Sequence, residues 1–408
     1  MDHPSSRRDF IAGAGRLALA TAGAGLLPGS PWLEPAAAAR LTQGYVQRRQ
    51  ASYFTPLGGG RVRCDLCPRR CEIAPAERGF CGVRENADDA LWTVAYGNPC
   101  AVQIDPIEKK PFYHVLPGTK TLSLATSGCN LHCKSCLNWE AARAQPEETF
   151  NHELPPAEAV ARAASYDCPS IASSYVEPVV FLEYMREVAA LCRDHSLLHL
   201  MHSAGYIERA PLDDLCPLLD AACIDLKGFT ESFYRDSVDG RLAPVLATLE
   251  RLRAHGVHTE VVNLLIPGKN DDPVTLRAMC RWIVDRLGPE VPLHFFRFYP
   301  RYLFKSVPPT PIPSLEQARQ IAQDEGLHYA YIANVPEHPG KHTYCPRCSE
   351  LLIERYGYFT TVVALVEGRC EACGHPIPGV WSKSGRRSSA TQQTSDTRLS
   401  STSVLDTP

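Results

Sequence analysis

Between residues 118 and 335, short apolar runs alternate with longer stretches whose apolar residues recur every three or four positions. This alternation restricts the fold more than any other property of the chain. The strand-like runs are Leu122–Thr126, Ile171–Tyr175, Leu198–His202, Ala222–Leu226, Thr259–Leu265 and Leu293–Phe298. The helical stretches between them include Ala157–Ala164, Val179–Arg193, Pro244–Ala254 and Val274–Leu287. Repeated βα units predict an α/β fold with a parallel sheet. Six such units suit a partial, TIM-like (β/α)6 barrel better than a closed eight-stranded one. In barrels of this type the chemistry sits on the loops that follow the strands.

One of those loops carries three cysteines. Cys129, Cys133 and Cys136 follow the first run, Thr121-Leu-Ser-Leu-Ala-Thr126, in Ser127-Gly-Cys-Asn-Leu-His-Cys-Lys-Ser-Cys-Leu-Asn-Trp139. Four thiolates can close a metal site. Three on one loop suit a cubane [4Fe–4S] cluster with one iron left open to an outside ligand, and the amine and carboxylate of S-adenosylmethionine (SAM) are suitable donors. The alternative is a set of structural or zinc-binding thiols. The Cys-x3-Cys-x2-Cys spacing resembles that of radical SAM enzymes.

The chain has seventeen cysteines, eleven of them in three sets. Cys345-Pro-Arg-Cys348 and Cys370-Glu-Ala-Cys373 form two knuckles separated by 21 residues, a spacing that suits a tetrahedral zinc ribbon, with a second cluster as the alternative. Cys64, Cys67, Cys71 and Cys81 also supply four ligands, and their spacing leaves zinc, an auxiliary [4Fe–4S] cluster and disulfides all open. The isolated Cys100, Cys168, Cys192, Cys216, Cys223 and Cys280 read as buried thiols. A net charge of −3, with 42 basic against 45 acidic side chains, gives no electrostatic reason to expect a nucleic-acid partner. No apolar run reaches transmembrane length, so no integral membrane segment is expected.

The N-terminus reads as a leader. Ser6-Arg-Arg-Asp-Phe-Ile11 precedes a Gly/Ala/Leu-rich stretch to Leu27, and Ala36–Ala39 offers small residues for cleavage. That order resembles a twin-arginine export signal, a route that carries folded, cofactor-loaded cargo; the alternative is a cytoplasmic protein with an Ala-rich tail. Outside the cytosol, SAM and low-potential electrons would have to be supplied. The expected organisation is a leader over 1–40, a four-cysteine module and lead-in over 41–117, the barrel over 118–335, a four-cysteine ribbon over 336–381 and a disordered tail over 382–408, where apolar residues almost disappear.

Motifs spread over about residues 60–381 resemble the AmmeMemoRadiSam-system radical SAM enzymes, relatives of the pyruvate formate-lyase activating enzymes. They are Cys64-Asp-Leu-Cys-Pro-Arg-Arg-Cys71 with Arg78-Gly-Phe-Cys-Gly-Val-Arg-Glu-Asn86, Ile107-Glu-Lys-Lys-Pro-Phe-Tyr-His114 with Leu116-Pro-Gly118, and Ile224-Asp-Leu-Lys-Gly-Phe229. Leu265-Ile-Pro-Gly268 with Asn270-Asp271, Pro292-Leu-His294, Asn334-Val-Pro336, Thr343-Tyr-Cys-Pro-Arg-Cys348 and Gly379-Val-Trp381 follow in order. The resemblance implies a radical SAM barrel, a [4Fe–4S] cluster, SAM and a low-potential electron donor. It also implies a protein substrate or the partner proteins of that system.

The resemblance further suggests site residues. Glu177, in Tyr175-Val-Glu-Pro178, matches the turn that holds the SAM amine, with Ser173 and Ser174 beside it. Lys227 would pair with the SAM carboxylate, and Asp225, two residues away on the same strand face, would accept from ribose or ammonium. His294 matches a position facing SAM, or else is a core histidine. Four departures surround this pocket: Ser135 replaces an aromatic residue, Leu137 a Gln, Val176 an Asn, and Ser203-Ala204 an Asn-Gly pair. Three functions compete. The first is activation of a protein by hydrogen abstraction, the second is modification of a small molecule, and the third is a metal-bound scaffold or electron carrier with a decayed SAM pocket.

Overall fold

The computed structural model describes residues 40–383. The expected leader, with Arg7, Arg8 and Ala36–Ala39, and the tail beyond residue 383 lie outside the described residues. The central sheet has eight strands: β1 (Ala101–Pro106), β2 (Lys120–Ala125), β3 (Ser170–Ser173), β4 (Leu198–Ser203), β5 (Ala221–Asp225), β6 (His258–Leu265), β7 (Leu293–Arg297) and β8 (Ala330–Ala333). Their spatial order follows the chain without a reversal. Strands β2 to β8 are parallel, and β1 pairs antiparallel with β2. Because β1 and β8 are the two edges, the sheet stays open. The six strands expected from the sequence therefore gain one more at each edge.

Helices α1 (Trp139–Arg143), α2 (Pro156–Ser165), α3 (Leu182–Asp194), α4 (Arg209–Leu215), α5 (Leu242–Ala254), α6 (Pro273–Leu287) and α7 (Ile312–Asp324) connect the parallel strands. Helix α6 shows why these segments are helical. Asp272 caps its N-terminus by accepting from the Thr275 amide at 2.8 Å, and Pro273 occupies the first turn. Leu276, Met279, Cys280, Ile283 and Leu287 then fall on one buried stripe, and Gly288 ends the helix at φ 104°. Burying each large apolar side chain contributes about 1.5–3 kcal/mol, against about 1 kcal/mol for the cap. The stripe therefore fixes the helix and the cap only trims its end. Among the described residues no helix is long and apolar enough to cross a membrane.

The alternation along each strand separates two cores. Ile171, Met201, Ala222, Ile224, Val261, Leu293 and Phe295 face the helices in the larger one. Ala172, Leu198, Leu200, Ala221, Cys223 and Val262 face inward, where Ile107, Phe112, Val115 and Leu116 fill the space between them. The backbone amides of Tyr113 and His114 donate to the buried Glu260 carboxylate near the start of β6. Segment 107–116 thus closes the floor at the N-terminal ends of the strands and leaves the C-terminal ends for the site.

The two cysteine modules are joined to this sheet rather than set apart from it. Residues 101–116, placed with the N-terminal module by the sequence, supply both β1 and the floor. The ribbon shares a core with Tyr113, Tyr329 and Tyr331, and Arg355 inside it donates to the Tyr113 carbonyl at 2.7 Å. All seventeen cysteines are unbridged. Of the six isolated ones Cys100 is only partly covered and the others are buried.

Candidate active site at the C-terminal ends of the strands

Strand β2 delivers the three-cysteine loop, and the loop is held from several sides. Gly128 begins it at φ 90°. A side chain there would meet the Cys81 carbonyl oxygen at 2.5 Å and Val83 at 2.6 Å, so only glycine fits. Asn130 donates to the Tyr206 carbonyl at 2.8 Å. The amides of His132 and Lys134 donate to Val238 and Ser237, and the Lys134 carbonyl accepts from the Leu303 amide. Arg143 donates to the Leu131 carbonyl. Within the loop the Leu131 amide points at Cys129 Sγ from 3.4 Å. Cys129, Cys133 and Cys136 are all part-exposed. They are not among the thiols drawn into contact with one another. Among the described residues, the one group whose ligand atoms all lie within 4.8 Å is Cys345, Cys348, Cys370 and Cys373. A cubane spreads its thiolates over separate iron corners, so the wider triad suits a cluster. The donor set, three thiols on one partly open loop, fits one with a free iron.

The ends of the neighbouring strands bring charge to this loop. Lys227 Nζ lies 2.6 Å from Asp225, whose other oxygen is 3.0 Å from His202 Nε2 at the end of β4. Burial alone would raise the Asp225 carboxyl, but Lys227 and His202 outweigh it and hold it well below the usual range. Burial alone would lower Lys227; Asp225 and the thiols of Cys133 and Cys136 raise it above its ordinary value. The charge of Lys227 thus lies within electrostatic reach of the cysteine loop. Asn270 secures it from behind, donating to the Lys227 and Leu264 carbonyls and accepting from the Ile266 amide.

Glu177 follows β3 and is almost wholly covered. Its carboxylate accepts from Ser203 Oγ at 2.6 Å, the Ala204 amide at 2.9 Å and the Val179 amide at 3.1 Å. Burial raises its pKa, and these three donors and Lys227 oppose the rise. The Ser203-Ala204 departure thus still supplies a side-chain and a backbone donor to Glu177. Ser174 is buried beside it, its amide bonded to the Leu124 carbonyl, while Ser173 Oγ lies 3.2 Å from His199 Nε2. The preceding Tyr175 sits at φ 68°. Asn138 donates to its carbonyl, its hydroxyl donates to Asp105, and the Lys110 ammonium lies 3.4 Å from its ring centre. Lys110 is buried against Asp105 at 2.8 Å, and burial lowers its pKa to about 8. His294 is buried in the barrel, with Nε2 at 2.7 Å from Glu260 and Nδ1 without a partner among the described residues. The geometry therefore gathers the triad, Glu177, Ser174, Asp225 and Lys227 around the strand ends, while His294 is bonded toward the floor.

Sequence reasoning did not assign roles to His202, Asn270, Lys110 or Tyr175. His202 had a signal, since it continues the inward-facing alternation of Leu198 and Leu200. Asn270 and Lys110 lay in quoted motifs, but their partners are distant in sequence.

In the ribbon, Cys345 Sγ lies 3.6 Å from Cys373 Sγ and Cys348 Sγ 3.6 Å from Cys370 Sγ. A single metal ion could join all four. The N-terminal Cys64, Cys67, Cys71 and Cys81 line one cavity, and no three of them converge as the ribbon thiols do.

A parallel α/β sheet with three part-exposed thiols on the loop after its first parallel strand defines a class of cluster-bearing barrel enzymes. Residues 123–279 match the radical SAM superfamily. An uncharacterized protein of Methanocaldococcus jannaschii is 44% identical over 331 residues, covering 81% of this chain and 98% of that protein. The chain belongs to the radical SAM superfamily, and membership implies a [4Fe–4S] cluster and SAM. Among solved structures, a domain of pyruvate-formate lyase-activating enzyme from Bacteroides vulgatus is 17% identical at a TM-score of 0.36, over 40% of this chain and 99% of that one. SuiB from Streptococcus suis bound to S-adenosylmethionine is 11% identical at a TM-score of 0.40, over 50% and 48%. Likenesses at this level carry no functional argument.

Proposed function

We propose that this chain is an activating-enzyme-like radical SAM enzyme whose substrate is a protein. The observation that carries the SAM-dependent part is the meeting of the triad with the Asp225–Lys227 pair and Glu177 at one end of the sheet. When bound and reduced, the cluster supplies the electron that cleaves SAM to methionine and a 5′-deoxyadenosyl radical, which abstracts hydrogen. The residues prepare that chemistry. Cys129, Cys133 and Cys136 hold three irons and leave one open. Lys227 directs its ammonium at the SAM carboxylate, kept in place by Asp225 and Asn270. An ionised carboxylate has about four acceptor positions. Glu177 uses three internally, and the last serves the SAM amine with help from Ser174. Asp225 and His202 face the ribose.

A protein substrate, rather than a small molecule, is supported by the rim. Leu137, next to Cys136, is 64% exposed, and Leu303, bonded through its amide to Lys134, is 60% exposed. Two apolar side chains held out beside the cluster loop suit contact with another chain. Reduced, cluster-loaded protein should convert SAM to 5′-deoxyadenosine. No turnover from fully loaded protein would favour the electron-carrier reading, for which the four departures around the pocket are the motive. Zinc is proposed for the ribbon.

The leader is proposed to act as a twin-arginine signal. Replacing Arg7 and Arg8 by Lys should leave the protein uncut in the cytosol, because the pair is read by a receptor rather than acting through membrane affinity. Finding wild-type protein in the cytosol alone, at full length, would overturn export.

A further inference from the structure

The spacing of Cys64, Cys67, Cys71 and Cys81 leaves zinc, a cluster and disulfides open, and the structure separates them. Zinc binds thiolates at about 2.3 Å, so the sulfurs around one ion stand about 3.8 Å apart. The ribbon meets that limit, with its two Sγ pairs at 3.6 Å. The N-terminal set does not. Its four thiols line a single cavity, but no three of them lie within 4.8 Å of one another, and the same holds for the triad. Neither set is gathered tightly enough to close on one ion as the ribbon does.

The lining of the cavity between them suits a negatively charged group. Leu66, Phe80 and Val180 give it apolar walls. Arg84 also lines it, almost wholly buried, with one guanidinium nitrogen 2.6 Å from Glu183. Its Nε has no hydrogen-bond partner among the described residues. A buried, unpaired donor is costly, and an anionic group in the cavity would satisfy it.

The site also abuts the SAM-cluster loop. The Cys81 carbonyl fills the space that a side chain would need at Gly128, the residue before Cys129. Arg69, between Cys67 and Cys71, donates to the Asn130 carbonyl at 2.6 Å. Phe80 and His132, each preceding a cysteine, have ring centres 4.1 Å apart. We propose that Cys64, Cys67, Cys71 and Cys81 hold a second [4Fe–4S] cluster, closed by four thiolates and placed for electron exchange with the SAM-binding one. With no open iron it binds neither SAM nor substrate. It takes one electron from a low-potential one-electron protein donor and passes it on. The second cluster is oxidised back as the SAM-binding cluster is reduced, with no bond made or broken. The electron-exchange part rests on the proposed SAM-cleaving function; the metal assignment does not.

Full-length protein purified without oxygen should carry about eight iron, about eight sulfide and about one zinc per chain. Cys71→Ser should lose about half the iron and no zinc. The triple Ala variant of Cys129, Cys133 and Cys136 should retain about four iron, all of it from the N-terminal site. On full reduction, wild-type protein should give two paramagnetic signals broadened by mutual coupling, and Cys71→Ser should give one narrow signal. About four iron with about two zinc in the wild type, and no iron in the triple variant, would overturn the assignment. Two uncoupled signals would overturn the electron-exchange contact. A wild type holding only about four iron, all of it kept in the triple variant, would leave this site standing and would instead refute the SAM-cluster reading.

Discussion

The central triad and the C-terminal ribbon use the same side chain to opposite ends. In the ribbon, four thiols converge within 4.8 Å and the set closes on itself. On the β2 loop, three thiols are part-exposed, lie apart and are held by hydrogen bonds from the loops around them. On the proposed reading, the number of ligands and their spread, rather than cysteine itself, divide a structural centre from a reactive one. A closed tetrahedron leaves no place for substrate, whereas a three-thiolate cluster leaves an iron open. The surroundings differ too. The triad lies within electrostatic reach of Lys227, Asp225 and Glu177, while the ribbon packs on Tyr113, Tyr329 and Tyr331.

The sharpest way to break this contrast is to remove ligands from each side. The triple Ala variant of Cys129, Cys133 and Cys136 should make no 5′-deoxyadenosine from SAM, the largest effect expected. Continued production would end the central reading. Replacing Cys345 or Cys370 by Ala should act on folding instead. The ribbon should lose about one zinc per chain and melt at lower temperature, while cluster iron persists, because structural zinc contributes folding free energy directly. Iron lost with zinc unchanged would make the ribbon a cluster site.

How much of this was legible in sequence depends on range. The triad and both sets of paired cysteines are local patterns, and so are strands such as His258–Leu265 and helices such as Pro273–Leu287. Strand Ala330–Ala333 is only four residues long and was missed, as was Ile312–Asp324, whose apolar residues are diluted by Gln and Glu. Strand Ala101–Pro106 was missed because it is an exposed edge with a Pro, paired antiparallel. Within the site, Lys227 and Asp225 are two residues apart and were readable together. Their other partners, His202 and Asn270, come from different strands and loops, so only the folded chain shows them.

Lys227 tests the electrostatic half of the comparison. Lys227→Met removes the cation but keeps most of the side-chain volume, and His202 remains to pair with Asp225. A charged hydrogen bond contributes about 1.5–3 kcal/mol, so SAM affinity should fall about ten- to hundred-fold. Iron content should not change. Unaltered affinity would remove Lys227 from the carboxylate site.

The smallest expected effect sharpens the role of Glu177. Burial already raises its pKa, and Ser203 is one of the donors opposing that rise. Ser203→Ala deletes the 2.6 Å bond and leaves the two backbone donors. Loss of a donor to the ionised form destabilises that form, so the carboxyl should titrate at still higher pH. If Glu177 accepts the SAM ammonium, only its ionised form binds. SAM affinity should then weaken as pH falls through the raised pKa, and the midpoint should lie higher in Ser203→Ala than in wild type. At pH well above both midpoints the two proteins should bind SAM within a few-fold of each other. The check is a SAM titration across pH with iron content followed in parallel, since loss of the cluster would mimic loss of the amine contact. Superimposable pH profiles at constant iron would show that the Glu177 carboxylate serves only to hold the Ser203–Ala204 turn.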